Sequence, residues 1–418
     1  MDEIQPIDWA VVDEQGRLIL PAELARAHGL EPGARMRLES TPGGLRLHNP
    51  AVHLAKVYVE ATNRCNLTCR TCIRHNWDEP LGRMQARVFN ALIDDLAVLP
   101  NPPLLFFGGM GEPLAHPRIA AMVRQAREAG LRAELITNGM LLNSERSRAL
   151  LEAGLNRLWV SIDGATPDSY ADVRLGAALP RVLENLAGFR QMRRPGHRAQ
   201  PEIGINFVAM RRNIHDLPAV IALGKRLGAV HFMVSNVLPY TAEMQAERLY
   251  TRSLRSVTYL PSGWLPDLSL PKWDLDETTS KVFLQALNSG CNVSFAGFNL
   301  GGANDVCSFL EIGSLAVGWD GAVSPCVALL HDFTSYLHGK PRANRRHVLG
   351  KVGKRSLLEI WRDPDYLAYR ERVQSFGFAP CTACGGCELS ESNEADCLGN
   401  GFPSCGGCLW AQAVIQCP

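Results

Sequence analysis

Cys65, Cys69 and Cys72 stand together in the run Cys65-Asn66-Leu67-Thr68-Cys69-Arg70-Thr71-Cys72. Three thiolates at this spacing suit a [4Fe–4S] cluster, holding three irons and leaving the fourth open to a substrate ligand. A structural zinc ion is the competing reading, but it asks for four ligands, commonly from paired knuckles. No fourth cysteine lies nearby, and His75 is the local residue that could complete a tetrahedral set. The other ten of the thirteen cysteines fall between Cys291 and Cys417, and the stretch 73–290 has none. Such clustering reads as metal or redox ligation rather than as disulfides. The run Cys381-Thr382-Ala383-Cys384-Gly385-Gly386-Cys387 has the CxxCxxC spacing of ferredoxin loops, which favours iron–sulfur over zinc. Two clusters of four thiolates would use eight of the ten, and Cys291 is the first candidate for a spare.

Apolar strand candidates at 56–60, 104–107, 133–137, 157–162, 203–209 and 230–235 alternate with helical patterns. One helix carries Met84, Val88, Leu92, Leu96 and Leu99 at spacings of three and four. Pro117 opens another, which Gly130 stops. Six β-then-α units predict an α/β fold over residues 51–237, a partial (β/α)6 TIM-like barrel with one open side. The first cysteine trio follows the first strand, and post-strand loops form the active face of such barrels. Residues 238–300 are less regular and read as a bridging segment. Residues 301–418 are Gly- and Cys-rich with little periodicity, as expected where metal clusters replace a hydrophobic core.

The chain has 418 residues, 46% hydrophobic and 20% charged, with a formal net charge of +1. Wholesale disorder is excluded, and no whole-chain case exists for a polyanionic partner. No apolar run approaches the ~20 residues of a membrane span. The opening MDEIQPIDWA lacks the features of a signal peptide, so the cytoplasm is the expected location and no membrane partner is expected. Residues 1–50 form a β-rich unit: strands on either side of Gln15-Gly16, a helix from Pro21 to Gly29, a turn at Leu30-Glu31-Pro32-Gly33, and strands at 35–39 and 45–47. This resembles the AbrB/SpoVT-like swapped-hairpin domain, which implies a homodimer. Many such domains bind DNA, but five Arg and no Lys against eight acidic residues leave −3 here, the wrong sign for phosphate. Dimerisation or docking of a protein partner is the expected role, and nucleic acid is not an expected partner.

The cysteine trio, its place after the first strand and the six-unit cadence together resemble the radical S-adenosylmethionine (SAM) superfamily. That resemblance gives meaning to further post-strand segments. Gly108-Gly109-Met110-Gly111-Glu112-Pro113 looks like the turn that receives the amino group of SAM. Ile136-Thr137-Asn138-Gly139 looks like another turn near the cofactor, Val160-Ser161-Ile162-Asp163-Gly164 like the turn that binds its carboxylate and ribose, Arg174 like a partner of the carboxylate, and Asn206 like a looser contact. Simple turn capping is the alternative for Asn138 and Ser161. Thr71 departs from the family, which often has an aromatic residue there, so adenine stacking from that side chain is not expected. The implied chemistry is one-electron reduction of SAM at the cluster, scission of a carbon–sulfur bond, and hydrogen abstraction by the resulting 5′-deoxyadenosyl radical.

Cys307, then Gly321-x4-Cys326, then Cys381, Cys384, Cys387, Cys397, Cys405, Cys408 and Cys417 resemble a SPASM domain with one or two auxiliary [4Fe–4S] clusters. Thr71-Cys72-Ile73-Arg74-His75-Asn76-Trp77, Asp172-Val173-Arg174-Leu175-Gly176-Ala177 and Cys408-Leu409-Trp410-Ala411-Gln412 look like the tungsten-cofactor oxidoreductase maturases. The implied partners are SAM, a client oxidoreductase or its pterin cofactor, and an electron donor such as ferredoxin or flavodoxin. A peptide- or protein-modifying SPASM enzyme of the sulfatase-maturase or thioether-forming kind shares the framework. An iron–sulfur regulator binding DNA through residues 1–50 is the reading from another class. No catalytic acid or base is assigned, because Tyr240, Asp305 and Trp410 have equally good structural readings.

Overall fold

The computed structural model describes residues 9–418 apart from 31, 42–43, 194–199, 252–253, 255–265, 288, 290, 297, 300–306 and 385–386. Glu31 of the expected turn, Asp305, the boundary expected at 300/301 and the two glycines before Cys387 lie outside the described residues.

Two antiparallel hairpins open the chain, β1 (Val11–Val12) with β2 (Leu18–Ile19) and β3 (Leu38–Thr41) with β4 (Gly44–Leu47), on either side of helix α1 (Ala22–Ala27). His48 ties this unit to the rest of the chain. Its buried ring reaches Glu39 of β3 at 3.0 Å and Glu311 at 2.5 Å.

The barrel follows: β5 (Lys56–Val59), α2 (Ala86–Ala97), β6 (Leu104–Phe107), α3 (Ile119–Glu128), β7 (Ala133–Thr137), α4 (Ser144–Glu152), β8 (Arg157–Ser161), α5 (Pro167–Val173), α6 (Leu179–Met192), β9 (Glu202–Ala209), α7 (Leu217–Arg226) and β10 (Ala229–Asn236). The six strands pair in parallel and in chain order. Each lies within one residue of its predicted bounds at either end. Their apolar runs are continuous because helices cover one face and the barrel interior the other. The helices pack through one stripe each, as with Phe89, Leu92, Ile93 and Leu96 of α2.

A small three-stranded sheet, β11 (Asp267–Leu270), β12 (Asn292–Phe295) and β13 (Phe298–Asn299), with α8 (Ser280–Leu287), follows the barrel. Beyond it come α9 (Ser308–Ile312), β14 (Ser314–Val317), β15 (Ala322–Ser324), β16 (Phe333–Leu337), β17 (Lys340–Asn344), β18 (Gly350–Lys351), α10 (Leu357–Trp361), α11 (Pro364–Ser375) and α12 (Cys381–Cys384). Here the expectation of a region without a hydrophobic core is corrected. β14 pairs in parallel with β5, and β15 and β18 extend the barrel sheet to nine strands. Leu315, Val317, Val323, Leu357 and Ile360 are fully buried there. Strands of two to four residues are too short to show a period in the sequence.

At the amino ends of the barrel strands, Arg157 pairs with Glu134 at 3.2 Å and Glu202 at 2.6 Å, closing that end with charge. The last residues span from β10 to β5. Asn236 Nδ2 donates to Val414 O, the Gln416 amide donates to Ser235 Oγ, and Lys56 Nζ and Tyr58 Oη donate to Pro418 O. Among the described residues no helix is long and apolar enough to cross a membrane.

Candidate active site

The loop after β5 brings Cys65, Cys69 and Cys72 to the carboxyl end of the barrel, in one wall of a cavity of about 190 Å³. The local fold is a tight turn in which the Cys72 amide donates to Cys69 O at 3.0 Å. His75 does not join the thiols as a fourth ligand; its Nε2 bonds the Cys69 carbonyl at 2.9 Å. Burial pushes the Cys65 thiol up and the Cys72 thiol to about 11. Thiolates are therefore unfavourable here until a cation neutralises them, as metal binding does. Three thiols with no fourth beside them fit a cluster with one open iron, and do not fit a closed zinc site.

The glycines after β6 earn their place in an unexpected way. A Cβ on Gly111 would lie 2.0 Å from Thr62 O, and one on Gly109, at φ 151°, would lie 2.8 Å from Glu60 Cβ and Cγ. The close approach is thus to the chain's own first strand and its following loop, which presses the turn against the cysteine loop. Met110 N–H donates to Glu60 Oε1 at 2.9 Å, and the Glu112 amide to Arg64 O at 2.8 Å. The buried Glu112 carboxylate accepts from Leu114 N–H (3.0 Å), Thr137 Oγ1 (2.7 Å) and Asn138 N–H (2.8 Å). Burial raises its pKa against the pull of those donors. Oε2 takes one of these bonds, which leaves it acceptor capacity toward a ligand ammonium in the cavity.

Asn138 both caps and reaches the cysteines. Its Oδ1 accepts Met140 N–H at 3.0 Å, while Nδ2 donates to Asn66 Oδ1 at 3.0 Å and approaches Cys65 Sγ at 3.8 Å. Ser161 and Arg174 line the cavity. Asp163 is fully buried beneath them: Oδ2 accepts Arg174 Nε at 2.6 Å and Oδ1 accepts Val208 N–H at 2.8 Å. Burial opposes the Arg174 charge, yet Asp163 holds its pKa above the ordinary value. Asn206 sits opposite Ser161 in the β8–β9 register, and its buried Oδ1 has no hydrogen-bond partner. Asn206 itself does not line the cavity, but an orphaned acceptor next to the lining residue Ser161 is what a bound polar ligand could satisfy. Thr71, Ile73, Met110, Ile136 and Tyr240 complete the lining. Tyr240, named from the sequence without an assigned role, follows the sixth strand and lines the cavity, whereas the apolar lining carries no local signal.

Four other cysteines belong to three segments: Cys307 precedes α9, Cys326 follows β15, and Cys405 and Cys408 bound one turn. Burial raises the Cys307 and Cys326 thiols, and each is raised further by charge on Cys405 and Cys408. Cys405 is pushed up to about 12 and lies 3.2 Å from Tyr369 Oη. Cys381 begins α12, Cys384 is one turn along it, and charges on Cys387 and Cys397 act on Cys381. Cys417, expected among the auxiliary ligands, stands apart: its sulfur accepts Trp410 Nε1 at 3.4 Å and its charged neighbour is Lys56, because the last residues lie along the barrel. Cys291 immediately precedes β12. Among the described residues no three side chains converge as ligands of a single ion would. A four-iron cluster spreads its thiolates over the corners of a cube and asks for wider spacing.

Residues 59–223 match the radical SAM superfamily and residues 307–388 the SPASM iron–sulfur cluster-binding domain. The chain therefore belongs to the radical SAM superfamily and is a radical SAM enzyme with a SPASM extension, whose cofactors are a [4Fe–4S] cluster with SAM and auxiliary iron–sulfur clusters. Within that class it shares a family with the tungsten-containing aldehyde ferredoxin oxidoreductase cofactor-modifying protein of Pyrococcus furiosus, at 30% identity over 366 residues, 87% of this chain and 96% of the relative. An AdoMet-dependent heme synthase of Methanosarcina barkeri is 35% identical over 182 residues, 43% of this chain and 50% of its own. Native anSMEcpe, solved with bound AdoMet, has the same fold: TM-score 0.51, 17% identity, covering 76% of this chain and 84% of that one.

Proposed function

We propose that the chain is a maturase acting on a tungsten-dependent oxidoreductase or on its pterin-based cofactor. The observation that carries this reading is the match to the Pyrococcus protein, too long to leave out either the barrel or the iron–sulfur domain. Cys65, Cys69 and Cys72 hold the SAM-cleaving cluster, which when bound supplies one-electron cleavage of SAM and hence a hydrogen-abstracting radical. The backbone of Gly108, Gly109 and Gly111 with Glu112 takes the SAM amino group. Arg174, oriented by Asp163, takes the carboxylate, while Ser161, Asn138 and Asn206 supply polar contacts. Cys307, Cys326, Cys405 and Cys408 form one auxiliary ligand set; Cys381, Cys384, Cys387 and Cys397 form the second.

Residues 1–50 serve as a swapped-hairpin dimerisation unit. Val11, Val12, Leu18, Ile19, Leu38 and Leu45 are exposed on short hairpins that are marginal alone in water. A cytoplasmic setting and a ferredoxin- or flavodoxin-type donor complete the reading. The test is anaerobic: reconstitute with iron and sulfide, reduce, add SAM and quantify 5′-deoxyadenosine, with and without the cofactor-free client oxidoreductase. The Cys65→Ala/Cys69→Ala/Cys72→Ala variant is the control. Deoxyadenosine that rises with the client, and a mass change in the client or its cofactor, support the maturase; turnover indifferent to the client refutes it.

A further inference from the structure

Arg342, on β17, is a buried cation with an incomplete set of partners. Its side chain is 2% exposed, its Nε has no hydrogen-bond partner, and it forms no ion pair with a carboxylate among the described residues. A guanidinium does not shed its charge, and an uncompensated buried charge is strongly destabilising. Some anion must compensate it.

The surroundings identify that anion. On one side lies the turn Cys405-Gly406-Gly407-Cys408, pressed so closely that a Cβ on Gly407 would sit 2.6 Å from Arg342 Cζ and 2.9 Å from Nη2. On the other side Nη1 donates to Ser390 O, and Ser390 is itself tied to the second set: its amide and Oγ donate to Cys387 O at 3.1 and 2.6 Å. Burial draws the Arg342 pKa down, while charge on Cys381, Cys408 and Cys405 draws it up. The guanidinium lies between the 405–408 turn and Ser390, whose amide and hydroxyl bond the Cys387 carbonyl, so it borders segments of both sets. A four-thiolate iron–sulfur cluster is anionic and gains a further negative charge on reduction, so a fixed cation beside it favours the reduced state.

We propose that Arg342 bridges the two auxiliary clusters electrostatically and raises the reduction potential of both. The proposal rests on the two-set ligand assignment made above. Gly407 belongs to the same device, because any side chain there would displace the guanidinium.

The test is a redox titration followed by electron paramagnetic resonance on the reconstituted full-length chain, with iron and sulfide counted beforehand. Wild type, Arg342→Gln, Arg342→Lys and Gly407→Ala are compared, with the SAM-cleaving cluster as internal standard. Both auxiliary midpoint potentials should fall in Arg342→Gln and Gly407→Ala, stay near wild type in Arg342→Lys, and leave the standard unmoved. Unmoved potentials at full iron content overturn the bridge and leave the ligand assignment standing. Equal shifts in the Gln and Lys variants, or iron loss in both, make Arg342 a structural cross-link and overturn it too. A wild type that loads a single auxiliary cluster defeats the two-set assignment, and the bridge with it.

Discussion

The imidazole of His331 bonds both carboxylate oxygens of Glu60, Nε2 lying 3.1 Å from Oε1 and 3.0 Å from Oε2. The two residues come from opposite ends of the chain: Glu60 follows β5, and His331 precedes β16 in the iron–sulfur domain. Glu60 also accepts the Met110 amide, so the iron–sulfur domain grips the Gly-rich turn through a single carboxylate. The other imidazole nitrogen lies 2.5 Å from Glu79, which Arg346 and the Asp332 amide also approach, at 3.7 and 3.4 Å.

This contact predicts a pH dependence. Burial alone would lower the His331 pKa, but hydrogen bonds and charge from Glu60 and Glu79 raise it to about 9. A raised histidine stabilises the fold fully below its unfolded pKa of about 6.5 and loses that contribution as pH climbs through about 9. The upper bound is on the order of 3 kcal/mol. Urea unfolding of wild type and His331→Gln should show a gap that is largest at pH 6 and narrows between pH 7 and 9. A gap independent of pH would mean that the imidazole is not charged in the folded protein.

Gly111, in the turn after β6, and Gly188, inside α6, separate packing from propensity. Gly111→Ala must push a Cβ into Thr62 O, and the expected cost is about 1–3 kcal/mol together with at least a tenfold weaker binding of SAM. Gly188, inside α6, has open space where a Cβ would go, so Gly188→Ala should stabilise by about 0.5–1 kcal/mol and leave SAM binding unchanged. Equilibrium binding of SAM to the reconstituted protein and thermal unfolding read both effects.

What a Cβ would meet at each of these glycines is invisible in the sequence, and so are many of the contacts that support the site. What is legible follows from local rules. Val57–Val59 and Leu104–Phe107 read as strands because both faces of a parallel strand are buried. The cysteine trio and the Gly-rich turn announce themselves by spacing. Partners far apart in the chain give no such signal: Glu60 and His331 are 271 residues apart, and the pairing of β14 with β5 is equally remote. The two auxiliary ligand sets proposed above also interleave along the chain, so order alone could not suggest sorting Cys405 and Cys408 with Cys307 rather than with Cys397.

Asp163 and Arg174 test whether a buried pair serves the site or the fold. Asp163→Ala would strand a guanidinium that is buried at 2.6 Å from its partner, with an expected cost of about 3–5 kcal/mol. Asp163→Asn keeps the acceptor for the Val208 amide but removes the charge that orients Arg174. It should fold, bind the cluster and show weaker SAM binding. Wild-type SAM affinity in Asp163→Asn would confine the pair to a structural role.

The exposed hairpins make the last prediction. Ile19 of β2 and Leu45 of β4 are more than half exposed in a single chain, and a two-stranded hairpin buries too little to be stable unaided. If two chains complete one small barrel, these side chains form its interior, and Ile19→Asp/Leu45→Asp places charge in a newly dry interface. Light scattering should then report a dimer for wild type and a monomer for the variant. The radical SAM barrel, whose sheet is extended by β14, β15 and β18 and not by residues 1–50, should keep its SAM-cleaving activity in that monomer. A wild-type monomer would assign residues 1–50 to a different partner, and the apolar hairpin faces would then be the surface on which to seek it.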